Sequence, residues 1–241
     1  MKKRSTSEVG HAKNVTNFTA LIELLEEMGP LYNPSNPDIQ LTNLVVLRDQ
    51  LTTSIQNLAD QTPPFKIAVA NRENAFKPLN KLSTRIKNSF NSLRQTKAEN
   101  DNVLSIVKKI RGDAPVPKAE KLDKEESKTI STAQLSYTSR ATNFQSLVSL
   151  LSAYRNYTPN EPDLTLTHLG DLYAQLKNFN NEAEKKGYAL ITARKQRNDL
   201  LYFNPVNLLG IVLPIKEYIK SVEGGDPYYK AAIALHFKTI P

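Results

Sequence analysis

A thirteen-residue string occurs twice in this chain, and it restricts the fold more than any other feature. Tyr32-Asn33-Pro34-Ser35-Asn36-Pro37-Asp38-Ile39-Gln40-Leu41-Thr42-Asn43-Leu44 returns 125 residues later as Tyr157-Thr158-Pro159-Asn160-Glu161-Pro162-Asp163-Leu164-Thr165-Leu166-Thr167-His168-Leu169. The flanks repeat at nearly the same spacing. Asn17-Phe18-Thr19-Ala20-Leu21 and its continuation to Leu25 match Asn143-Phe144-Gln145-Ser146-Leu147 and its continuation to Leu151, and Ala68 and Arg72 match Ala193 and Arg197. Val107 to Gly112 is read as the counterpart of Ile219 to Gly224. Similarity at a fixed offset is the mark of repeated supersecondary units. The chain is expected to be an internally duplicated helical bundle of two pseudo-symmetric three- to four-helix units.

The motif itself reads as a turn feeding a helix. Pro37 and Pro162 suit a first helical position, where a missing N–H costs nothing. Asp38 and Asp163 then fall in the first turn, where negative charge opposes the helix dipole favourably. Asn36 is a good cap and Glu161 a poorer one. Tyr32 and Tyr157, with Pro34 and Pro159, are expected to be packing anchors, each tyrosine with its hydroxyl bonded.

Between such turns the apolar spacing is helical. Phe18, Leu21, Ile22 and Leu25 form one stripe, and Leu41, Leu44, Leu51, Ile55 and Leu58 a second. A third runs from Phe65 through Phe76, Leu79 and Ile86 to Leu93. The second half follows with Phe144, Leu147 and Leu151, then Leu166, Leu169, Leu176 and Ala183. Steps of three, four and seven keep one face of a helix buried, and no run alternates over a strand's length. The class is therefore all-α. Gly29-Pro30 is expected to end the first helix and Pro63-Pro64 to separate the second from the third. Pro78 and Pro205 are expected to kink or split their helices at comparable places.

These signals place a first helical repeat over 1–112 and a second over 132–241. Residues 113–131 are charged, poor in large apolar residues and broken by Pro115 and Pro117, and read as an exposed linker. The repeats could form two bundles or one longer bundle. The second is favoured, because three or four amphipathic helices alone make a small core.

The string from Gly10 through Asn17-Phe18 to Tyr32-Asn33-Pro34 resembles a group of Bacteroidota proteins of unknown function, as does Arg194-Lys195-Gln196-Arg197-Asn198 with Leu201-Tyr202. The resemblance spans most of the chain but implies no activity, cofactor or site residue.

Composition argues against most chemistry. There is no Cys, which excludes thiolate zinc sites, disulfides and thiol nucleophiles, and there are 3 His. No phosphate-binding loop, dinucleotide fingerprint or nucleophile elbow is found. Glu8-x-x-His11 has the spacing of a di-metal helix motif, but the duplicate carries Gln134 and Tyr137 there, so it reads as an ordinary helix start. No enzyme, metal or cofactor is expected. Met1-Lys2-Lys3-Arg4 is followed by no apolar region, so no signal peptide is evident. The longest uncharged stretch, Leu200 to Ile215, holds two prolines and is too short to span a bilayer, so no integral membrane segment is expected. A cytoplasmic location follows as the expectation.

Three sets of residues are candidates for binding. Arg72 and Arg197 are kept in both copies and could hold an anion, or could each pair with a structural acid such as Asp38 or Asp163. Lys77, Lys81 and Arg85 follow at helical spacing, within a segment, Lys66 to Arg111, whose charge equals the chain's whole +8. That stripe could meet phosphates of nucleic acid or an anionic surface, or could be a solvated face. Leu208 to Ile215 is apolar enough for a membrane-active hairpin tip, or is a core helix. The functional expectation is a non-catalytic structural or protein-interaction role, through an unknown protein partner or self-association. Nucleic-acid or anionic-surface binding around Lys77, Lys81 and Arg85 is the alternative, and a membrane-active bundle a further one.

Overall fold

A computed structural model describes residues 7–113 and 135–239. The linker expected over 113–131, apart from Asp113, lies outside the described residues, as does Gln134. Among the described residues there are eight α-helices and no strand: α1 Ser7–Met28, α2 Leu41–Phe76, α3 Leu79–Ser92, α4 Lys97–Arg111, α5 Tyr137–Ser152, α6 Leu166–Asn198, α7 Leu208–Ser221 and α8 Asp226–Ala234. The class is all-α, with four helices in each half of the sequence.

Helix ends are set by local chemistry. Gly29 takes φ +51°, a left-handed conformation that releases the chain from α1, and Pro30 follows it. Thr96 caps α4 in a reciprocal box with Glu99, and the helix ends on Gly112 at φ +76° with Lys108, Lys109 and Arg111 in its last turn. Ser136 caps α5 and Asn207 caps α7. Pro78 splits α2 from α3, and the Asn204-Pro205-Val206 break, preceded by a π-helical turn at Asp199–Phe203, precedes α7.

Pro63 and Pro64 do not separate two helices. α2 runs unbroken through both. Their fixed φ is compatible with a helix, and the bonds they cannot donate would have gone to the carbonyls of Ala59 and Asp60. Those two residues are exposed, so water satisfies the orphaned oxygens.

The chain forms two compact units, and these do not coincide with the sequence halves. One unit is Met1–Pro64 with Gly187–Pro241, and the other is Phe65–Lys186. Each is therefore composite. The first joins α1 and residues 41–64 of α2 to residues 187–198 of α6, α7 and α8. The second joins residues 65–76 of α2, α3 and α4 to α5 and residues 166–186 of α6.

Each unit has its own core. In the first, Phe18, Leu21, Leu25, Leu44 and Leu51 from one half pack with Leu208, Ile215 and Ile219 from the other. In the second, Phe76, Ile86, Phe90 and Val107 pack with Phe144, Leu147, Leu169 and Leu176. In the first unit α1 and α7 pack against α8, and α7 against the Pro37–Ile39 turn; in the second, α4 packs against both α3 and α5. The apolar Leu208–Ile215 window is a core helix, with Leu208 and Ile215 fully buried.

The buried positions of α3 and α7 correspond at an offset of 129. Leu79, Ser83, Ile86 and Phe90 answer to Leu208, Val212, Ile215 and Ile219. The reading of Val107–Gly112 as the counterpart of Ile219–Gly224 is therefore corrected. The first segment ends α4 and the second ends α7, and what they share is a left-handed glycine after a helix, Gly112 and Gly224.

Candidate functional site

The two motif turns are built alike. The Tyr32 hydroxyl donates to the Ile39 carbonyl oxygen at 2.6 Å, and the Tyr157 hydroxyl donates to the Leu164 carbonyl oxygen at 3.1 Å. Both tyrosines are buried, and burial raises both phenols, Tyr157 to about 12. Pro37 and Pro162 each open a short 3-10 turn. The Asn36 side chain accepts from the Asp38 N–H, whereas Glu161 makes no cap bond. Pro34 and Pro159 lie within these turns, so the motif residues serve as structural anchors.

Neither Arg72 nor Arg197 meets Asp38 or Asp163 among the described contacts. In the second unit the Arg72 guanidinium lies over the Tyr137 ring, 4.4 Å from its centroid. Its buried Nε has no hydrogen-bond partner among the described residues. In the first unit Arg197 is 4% exposed, and its Nε and an Nη donate to the Asn198 side-chain oxygen. A planar cation that stacks and forks suits both settings. The sequence could not show this, because an aromatic partner on another helix leaves no spacing signature.

The basic stripe is not one helix face. Pro78 breaks the chain between Lys77 and α3, so only Lys81 and Arg85 share a helix. Arg85 is also engaged. Its guanidinium grips the Asp163 carboxylate with both terminal nitrogens, and the ion pair holds that carboxyl below its usual range. Lys77 and Lys81 are exposed. All but one of the chain's eight net positive charges nonetheless fall within residues 65–186, the second unit.

Polar contacts also join helices within each unit. His11 is buried, and its Nδ1 lies 2.8 Å from the Tyr202 hydroxyl oxygen. Arg140 donates to the Ile110 carbonyl oxygen and to the Asn80 side chain, which satisfies an acceptor at the end of α4. Among the described residues no group of three or more His, Asp or Glu is placed to hold a metal ion.

Two concavities stand out among the described residues. In the first unit a groove of about 800 Å³ lies between α2 and the end of α6, with Val46 and Leu200 as apolar wall and Gln50, Asn57, Gln196 and Asn204 among its polar lining. The π-helical turn forms one edge through Asp199 and Leu200, joined by Asn204 just after it. Phe203, in that turn, is 72% exposed. In the second unit a polar cleft of about 520 Å³ lies between α3 and the Tyr157–Leu164 turn, lined in part by Arg85, Asn88, Ser89, Ser92, Asn160 and Glu161. Among the described residues no helix is long and apolar enough to cross a membrane.

Comparison with family models, curated proteins and solved structures finds no match for this chain.

Proposed function

We propose that the chain is a non-catalytic interaction protein that docks a protein partner in the groove of its first unit. The observation that carries this reading is Phe203, held 72% exposed by the π-helical turn that also edges the groove. Single π turns recur at functional places in helices. A large aromatic fixed on a rigid turn is the kind of anchor that dominates binding energy at protein interfaces. Amide side chains around a small apolar wall suit the polar rim that such contacts use.

The test is a photo-reactive phenylalanine analogue at position 203, compared with one at the exposed position of Glu223. A protein adduct at 203 alone, lost when Val46→Glu is added, is the expected result. No adduct, or equal adducts at both positions, overturns the reading.

A second reading keeps nucleic acid or an anionic surface as the partner of the second unit. It rests on the concentration of net charge in residues 65–186, with Lys77 and Lys81 exposed. The engagement of Arg85 by Asp163 removes one member of the stripe from that role.

A further inference from the structure

The two motif turns meet different side chains from α7 and α3. In the first unit Tyr218 of α7 stands edge-on to Tyr32, with ring centroids 5.2 Å apart. Its hydroxyl oxygen accepts the Asn33 N–H at 3.0 Å. At the offset of 129 that relates α7 to α3, the second unit has Ser89 in place of Tyr218. Thr158, which answers to Asn33, turns its N–H instead to the Asn156 carbonyl oxygen. Tyr157 packs instead beside Phe90, ring centroids 6.4 Å apart, and Ser89 lines a cleft of about 520 Å³ next to the turn.

A second difference falls in the same place. Position 214 in α7 is proline, and its counterpart in α3 is Arg85, which lines the cleft and binds Asp163. One unit fills the space beside its motif turn with an aromatic. The other sets Phe90 beside its motif tyrosine and lines the adjoining cleft with an arginine, amides and hydroxyls.

From this lining we propose that the cleft of the second unit binds a neutral polyhydroxylated ligand, a mono- or disaccharide. Each sugar hydroxyl both donates and accepts. Asn88 and Asn160 offer both roles, Ser89 and Ser92 add hydroxyls, and Glu161 adds an acceptor. Leu93, Pro159 and Leu164 give an apolar floor for the C–H face of a ring. An anion is disfavoured: the charge of Arg85 is balanced by Asp163, and Glu161 adds negative charge. The volume lies within the range of about 300–1,000 Å³ typical of small-molecule sites. This proposal does not depend on the partner groove of the first unit.

The experiment is amide NMR on the full chain with glucose, galactose, N-acetylglucosamine and maltose as probes, and phosphate and spermidine as charged controls. At least one sugar is expected to shift amides of residues 85–93 and 157–164 saturably, and neither control to do so. Ser89→Tyr installs the ring that the first unit already accommodates, and should weaken the sugar roughly tenfold or more by filling the site. Should Ser89→Tyr fail to fold, Asn88→Ala with Asn160→Ala, both at exposed positions, makes the same test. If no sugar shifts these amides, if the lining variants leave the shifts unchanged, or if phosphate or spermidine displaces the sugar, the proposal is overturned.

Discussion

Tyr157 and Leu164 close the second motif turn on itself: a buried phenol donates to a backbone carbonyl seven residues on, as Tyr32 does to Ile39. Removing the hydroxyl leaves that oxygen without its donor. Tyr157→Phe and Tyr32→Phe should therefore each cost about 1–2 kcal/mol, measured by denaturant unfolding. The same burial gives an alkaline signature. The folded-state phenols are raised above their unfolded value, Tyr157 to about 12, so their contribution is intact below about pH 10 and is lost as pH rises toward 12. The double Phe variant should show a flatter decline over that window.

The composite units make a prediction about fragments. Neither 1–112 nor 132–241 contains a complete core, because each core draws on both. Each fragment alone should lack a cooperative thermal transition, and a mixture of the two should regain it with one-to-one stoichiometry. A cooperative transition in either fragment by itself would contradict the assignment.

Separate cores should respond separately. Phe18→Ala and Phe90→Ala each empty a fully buried site and should cost about 3–5 kcal/mol. Hydrogen exchange should accelerate mainly in α1, α7 and α8 for Phe18→Ala, and mainly in α3, α4 and α5 for Phe90→Ala. Uniform acceleration in both variants would show that the units unfold as one.

Charge in the second unit predicts a salt-sensitive interaction if the anionic reading holds. Retention on heparin should fall steeply between roughly 50 and 200 mM salt and should drop when Lys77 and Lys81 are both changed to Glu. Retention that is unaffected by those two changes removes this reading and leaves the groove of the first unit.

Much of this architecture is legible in the residues themselves. The cap on Asp38 by Asn36, the anchoring of Tyr32 and Tyr157, and the breaks at Pro78 and Pro205 all follow from local chemistry that acts within a few residues. Apolar periodicity identifies the buried face of α2 through Leu44 and Leu51. It does not say which helix covers that face, and so the composite units escape it. Arg85 finds Asp163 at 78 positions' remove, and Arg72 finds the ring of Tyr137. Such partners are set by packing, not spacing. Pro63 and Pro64 mislead for the opposite reason: their rule is local, but exposed carbonyls let solvent relieve it. The Ser89 and Tyr218 difference could have been found by aligning α3 with α7, which a single motif-based offset does not do.

The division of labour within the chain also has a consequence for its birth. A ribosome delivers residues 1–64 ahead of residues 65–186, yet the segments that complete their core, 187–241, emerge only after both. The later-starting unit, residues 65–186, becomes whole while the earlier one still waits. At about 5–20 residues per second, the oily side of α1, with Phe18, Leu21 and Leu25, stays uncovered for many seconds. Residues 1–64 are thus made before residues 65–186 and finished after them.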